Sequence, residues 1–365
     1  MTQSEALLIP PKPKAQPALM KALVYHGPGR RSWEDKPRPV IREATDAVVR
    51  VTTATICGTD LHILKGDVPT VADGRILGHE GVGVVEETGS AVAGFERGDL
   101  VLISCITSCG KCDFCKKGMY SHCRSGGWNL GHTIDGTQAE YVRIPHAETS
   151  LYRLPRGADQ EAFAMLSDIF PTGFECGVLN GQVKPGDTVA IVGAGPIGLA
   201  TLLTAQFYSP AELVMVDLDA NRLAVAGSLG ATQLVEATGL KAVERVLELT
   251  AGAGVDVAVE AVGIPATFDV CQKIVAPGGR IANVGVHGKP VSLELERLWA
   301  HNVTLTTRLV DTVSTPMLMK LVQSGRLRPQ KLVTHRFGLG DVMKAYDVFG
   351  NAAREQALKV VLKSQ

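Results

Sequence analysis

Four cysteines stand within fifteen residues, Cys109, Cys112, Cys115 and Cys123, in the spacing C-x2-C-x2-C-x7-C. Zn2+ prefers four tetrahedral ligands, and thiolates so close in sequence converge on one ion at little loop-closure cost. Four thiolates leave no coordination position for a substrate. The cluster therefore predicts a structural zinc and places any chemistry elsewhere. A disulfide knot and an iron–sulfur site are the competing readings. Disulfide frameworks belong to short secreted chains, which a chain of 365 residues is not.

A second constellation is Gly193-Ala194-Gly195-Pro196-Ile197-Gly198, a G-x-G-x-x-G loop. The apolar run 187–192 precedes it and the breaker-free run 199–208 follows. A further apolar run, 212–217, ends in Asp217, nineteen residues after Gly198. That is the strand–loop–helix–strand context of a dinucleotide fingerprint. The glycines let backbone approach a pyrophosphate, the helix start offers unpaired N–H groups, and the acid accepts from ribose hydroxyls. A carboxylate at Asp217 repels a 2′-phosphate, so NAD is expected rather than NADP. Arg222, five residues on, is either a ribose contact or a solvated helix residue.

The third constellation is split. Cys57-Gly58-Thr59-Asp60-Leu61-His62 closes one β-rich run, and Gly78-His79-Glu80-Gly81 opens the next. A lone Cys or His is more often a core residue than a ligand. Together Cys57 and His79 supply two of the three protein ligands a catalytic zinc needs. A third comes from later in the chain, and Asp168, in SDIFPTG, is a candidate.

These residues need elements to position them. From Met20 to about Ile144, short β-rich runs (46–57, 81–92, 97–104) alternate with Gly/Asp turns, which predicts a compact, barrel-like β unit interrupted by the cysteine lobe at 105–125. Beyond Asp168 apolar strand-like runs (187–192, 212–217, 255–263, 279–286) alternate with helical stretches. That pattern predicts a parallel sheet covered on both faces. The final strand is expected at 358–363. The length fits two domains. Lys+Arg and Asp+Glu both total 37, which gives no electrostatic reason to expect nucleic acid or an anionic membrane as partner. No apolar run is long enough to span a bilayer. Residues 1–19 read as a disordered Pro/Lys-rich arm without a signal peptide's apolar core, so a cytoplasmic, reducing setting is expected.

Five segments in this order, ICGTDLH (56–62), GHEGVGVV (78–85), the Cys109–Cys123 lobe, SDIFPTG (167–173) and VGAGPIGL (192–199), resemble the zinc-dependent alcohol dehydrogenases of the medium-chain dehydrogenase family, bacterial tetrameric type. The resemblance runs from Met20 to the C-terminus. It implies an α/β fold: a doubly wound Rossmann sheet at 172–309 beside a β-rich, GroES-like catalytic domain formed by 20–171 and 310–365. It implies two Zn2+ per chain, NAD, a small alcohol or aldehyde substrate and a homotetramer. Cys57, His79 and Asp168 become ligands of the catalytic zinc, with Glu80 either among them or next to them and Asp60 orienting His79. Many members carry a cysteine where Asp168 stands. Thr59 and His62 become a proton relay that runs through the nicotinamide ribose. Thr172 falls beside the nicotinamide, Val286 at its carboxamide, Lys359 at the pyrophosphate and Trp128 on the substrate-pocket wall. Gly58 departs from the basic residue that some animal enzymes have there. Threonine and polyol dehydrogenases share several of these motifs and remain the same-class alternative. A non-enzymatic NAD- and zinc-binding protein is the alternative of another class.

Overall fold

The β-branched residues that dominate AVVRVTTATI form the strand Ala47–Ile56, the centre of a seven-stranded sheet. Gly81–Thr88 pairs antiparallel along one edge of this strand. Tyr141–Ile144 and Lys359–Lys363 share the other edge, so the last strand returns to the first part of the chain. Leu100–Ile103, Leu151–Arg153 and Val333–Gly338 complete the sheet. With a three-stranded sheet of Leu19–Tyr25, Arg31–Pro37 and Arg75–Ile76, this is the β-rich unit expected from the turn pattern. The molecule is a computed structural model that describes residues 18–364, so most of the arm expected over 1–19 lies outside the described residues.

The second large sheet has six strands, all parallel: β1 (Thr188–Val192), β2 (Glu212–Asp217), β3 (Gln233–Glu236), β4 (Val255–Glu260), β5 (Val275–Asn283) and β6 (Thr304–Thr307), in the order β3-β2-β1-β4-β5-β6. This is the doubly wound arrangement, with its switch point between β1 and β4. Two strands were not expected. β3 is four residues long with one buried side chain, and β6 is a mostly exposed edge strand, TLTT. Neither carries the apolar run that marks a strand buried on both faces.

One apolar core joins the sheets. It runs from Val82 and Leu102 of the mixed sheet through Phe170 and Phe174 to Ile191 and Met215 of the parallel one. Among the described residues no helix is long and apolar enough to cross a membrane.

Candidate active site

The strand Ala47–Ile56 runs straight into helix α1 (Gly58–Lys65), with Cys57 at the junction. Asp60 accepts from the Cys57 backbone N–H at 2.9 Å and closes the helix start, and Gly66 ends the helix in the left-handed region at φ 87°. His79 follows Gly78, whose φ is +93°. A Cβ on Gly78 would sit 2.6 Å from Gln138 Cγ, so only glycine admits this turn. Asp168 starts the short helix Ile169–Thr172.

These three elements bring one sulfur, one ring nitrogen and one carboxylate oxygen within 4.8 Å of one another, all buried. Asp168 Oδ2 lies 3.2 Å from His79 Nε2 and 3.5 Å from Cys57 Sγ. Burial alone would lower the pKa of the His79 ring. The Cys57 and Asp168 groups outweigh it and push it well up. Burial alone would raise Asp168, but the hydrogen bonds from His79 and Thr172 hold its carboxyl at about 2. The field inside the triad therefore favours positive charge, and a mixed S/N/O donor set at this spacing fits Zn2+.

The triad opens into a cleft of about 1470 Å³ that reaches the glycine loop. Helix α2 (Pro196–Ala205) begins at that loop. A Cβ on Gly198 would lie 1.8 Å from Gly193 O, so glycine is obligatory there for strand and helix to meet. At Gly195 a Cβ would meet nothing within 4 Å, leaving the room beside the α2 N-terminus that a pyrophosphate needs. Gly193, Gly195, Pro196, Ile197, Asp217, Arg222 and Val286 all line the cleft.

Away from the triad, Cys109, Cys112, Cys115 and Cys123 place their four sulfurs within 4.8 Å of one another. The Arg124 and Cys115 backbone N–H groups pull the Cys112 thiol down to about 6, whereas burial pushes Cys115 up to about 12. Three-residue 3-10 turns, Cys115–Lys117 and Tyr120–His122, shape the lobe. Its residues Lys117, Met119 and His122 form part of the cleft wall.

Residues 43–156 match the family described as alcohol dehydrogenase GroES-like domain, and residues 196–324 match zinc-binding dehydrogenase. An alcohol dehydrogenase of Cupriavidus necator is 37% identical over 374 residues, spanning 95% of this chain and 99% of that protein. The chain belongs to the zinc-dependent alcohol dehydrogenases. Within this medium-chain dehydrogenase family, the solved apo form of zinc-dependent alcohol dehydrogenase 2 from Streptococcus pneumonia superimposes with TM-score 0.91 at 56% identity, covering 95% of this chain and 99% of that one. An Escherichia coli CFT073 alcohol dehydrogenase complexed with cofactor NADH superimposes with TM-score 0.84 at 25% identity, over 94% and 99%.

In this alcohol dehydrogenase Thr59, His62, Trp128, Thr172 and Lys359 also line the cleft. Glu80 is not in the ligand group. Its Oε2 accepts from Thr55 and forms a fully buried ion pair with Lys359. Lys359 Nζ also donates to Ile56 O at 3.2 Å, so the cation expected at the pyrophosphate is held on Glu80 beneath the triad. Thr172, expected beside the nicotinamide, lines the cleft and donates to Asp168 Oδ1 at 2.6 Å. Asp217 already holds the glycine loop by accepting from Ala194 N at 2.6 Å, and it also accepts from Asp219 N. Arg222 Nε is 3.8 Å from Asp219. Thr59 Oγ1 is 3.7 Å from Cys57 Sγ. His62 Nδ1 pairs with Asp67 at 2.8 Å, and no direct hydrogen bond joins His62 to Thr59. Trp128 stands edge-on to His79, with ring centroids 6.2 Å apart, and stacks on His132 at 4.5 Å.

Sequence reasoning missed Cys105. Its thiol lies 3.7 Å from Asp168 Oδ1, buried and on the cleft wall. Standing four residues before Cys109, the first of the four clustered cysteines, it carried no spacing signal of its own.

Proposed function

We propose that the chain is an NAD-preferring alcohol dehydrogenase with two zinc sites, converting a primary or secondary alcohol reversibly to its aldehyde or ketone. The observation that carries this reading is the opening of the Cys57–His79–Asp168 triad into the same cleft as the glycine loop and Asp217. Bound at these sites, zinc supplies Lewis acidity toward the alcohol oxygen and the nicotinamide supplies the hydride acceptor. The chain's own residues do the rest. Thr59, the second residue of α1, presents its hydroxyl beside Cys57 and holds the alcohol proton as it leaves. His62, three residues further on the same helical face, takes it toward solvent. Asp67 on Nδ1 fixes the tautomer that leaves Nε2 free to accept. Trp128 and Cys105 wall the reacting carbon and exclude water. The division into a catalytic domain, 20–171 with 310–365, and a cofactor domain, 172–309, belongs to this proposal. So does a cytoplasmic setting, which keeps thiolates reduced.

Turnover of NAD with a panel of primary, secondary and aromatic alcohols tests the activity. Asp217 sets the cofactor preference. Asp217→Gly removes both the ribose acceptor and the repulsion toward a 2′-phosphate, and it should narrow the NAD/NADP ratio of kcat/KM by roughly tenfold or more, the equivalent of about 1–3 kcal/mol. A parent enzyme with the higher kcat/KM for NADP overturns the assignment.

We extend the proposal to a homotetramer. Leu305 and Leu309, in and just after the edge strand β6, and Leu295 and Trp299, on the segment that leads into it, are exposed apolar side chains, and the outer side of β6 has no strand partner among the described residues. Light scattering should give four times the 38.7 kDa chain mass. A monomer mass rejects it.

A further inference from the structure

Among the described residues, the buried polar atoms near the triad without a hydrogen-bond partner include two that face each other, Asp60 Oδ1 and His79 Nδ1, 3.9 Å apart. His79 Nε2 is on the ligand side, toward Asp168, so Nδ1 is the remote nitrogen and Asp60 is the carboxylate beside it. What fixes Asp60 reaches far beyond the zinc motifs. Its Oδ2 accepts from Cys57 N at 2.9 Å and from Gln138 Nε2 at 3.0 Å. Gln138 Nε2 also donates to Thr55 O at 3.1 Å, and Gln138 Oε1 accepts from the Tyr346 hydroxyl at 2.7 Å. Both side chains are buried.

The direction of this chain is forced. Thr55 O and the Asp60 carboxylate are acceptors, so the Gln138 NH2 must face them. Its oxygen then faces Tyr346, which must donate. The amide has no alternative orientation that satisfies every partner. Gln138 is also held beside the His79 segment by Gln138 N to Leu77 O at 3.0 Å, and it occupies the space that Gly78 leaves open. Tyr346 is carried by helix α3 (Val342–Gly350), with the Arg31 guanidinium 5.0 Å over its ring.

We propose that Gln138 and Tyr346 are positioning residues of the metal site, a one-directional chain Tyr346–Gln138–Asp60 that aims the carboxylate at His79 Nδ1 and so holds the Nε2 lone pair toward the metal. Neither residue touches a ligand atom. Each acts through Asp60, which fixes ring orientation and tautomer as outer carboxylates do for metal-bound histidines.

The inference rests on the reading of His79 as a zinc ligand, and its test separates the two. Tyr346→Phe keeps the ring and its Arg31 stack and removes only the donor. Gln138→Leu removes the whole relay at similar size. Zinc release from purified holoenzyme to a chromophoric chelator is followed together with the visible spectrum of the cobalt(II)-substituted protein. The four-cysteine zinc serves as the internal reference. Tyr346→Phe is expected to release the triad zinc roughly tenfold faster, Gln138→Leu faster still, with the reference phase unchanged and the cobalt spectrum altered. Parental release rates and a parental cobalt spectrum in Tyr346→Phe overturn the inference alone, and this variant decides if Gln138→Leu does not fold. A parent that releases only the four-cysteine zinc overturns the triad reading and the inference with it.

Discussion

His79→Ala protein should hold one zinc per chain where the parent should hold two, and should oxidise alcohols about a thousandfold more slowly or worse. The triad has only three donor groups, and Asp168 Oδ2 contacts the other two, at 3.2 Å and 3.5 Å. Removing the imidazole leaves a thiol and a carboxylate, too few for a site that keeps a position open to substrate. Lewis-acid stabilisation is worth several kcal/mol, and each 1.36 kcal/mol is tenfold in rate. The four-cysteine cluster shares no ligand with the triad, so its metal stays. Cys112→Ser should behave in the opposite way, keeping the triad metal while the lobe loosens. Because Lys117, Met119 and His122 of that lobe line the cleft, KM should rise before kcat falls. Metal analysis beside kcat and KM checks both variants. A parent with a single zinc defeats the two-site reading, and His79→Ala with parental activity defeats the triad.

Thr59→Ala is expected to lower alcohol oxidation by about 10²–10⁴-fold, whereas Thr59→Ser should keep most of it, since what matters is a hydroxyl at the reacting oxygen. His62 stands one step outward and its other ring nitrogen is occupied by Asp67. Water or buffer can replace it in part, so His62→Gln should lose roughly 10–100-fold, and small imidazole or amine buffers should restore some of that loss. The variant leaves Cys57, His79 and Asp168 untouched, so zinc content and NAD affinity should match the parent. Rates measured against pH decide the matter. A His62→Gln enzyme indistinguishable from parent throughout the neutral range leaves His62 with a structural role only.

The elements whose signals lie within a short stretch of chain were legible in the sequence. The glycine loop between β1 and α2 and the cysteine lobe each state their chemistry in under thirty residues, and each buried strand shows as a short apolar run. β3 and β6 were not legible, because a short strand and an exposed edge strand need no continuous apolar run. The triad was half legible: motif spacing suggested Cys57 and His79, while Asp168 was chosen for its place at a change of texture. The partners that support it were hidden. Nothing in the local pattern around Lys359 says that its ammonium pairs with Glu80, and nothing around Gln138 says that it bridges Tyr346 to Asp60. Periodicity encodes which face of an element is buried. It does not encode which distant polar group waits there.

The Lys359–Glu80 pair bears on how the protein comes into being. Lys359 reaches Glu80 and the Ile56 carbonyl only when the last strand lies antiparallel to the strand that ends at Ile56, some three hundred residues earlier. Contacts of such long separation are late and slow to form. Until then Glu80 is a carboxylate without its cation, in a pocket whose floor is unfinished, although Cys57 and His79 left the ribosome long before. Completion of the pocket beneath the triad therefore waits on the last strand, and a chain stalled or clipped before residue 359 has Cys57, His79 and Asp168 without the Lys359 ammonium beneath them.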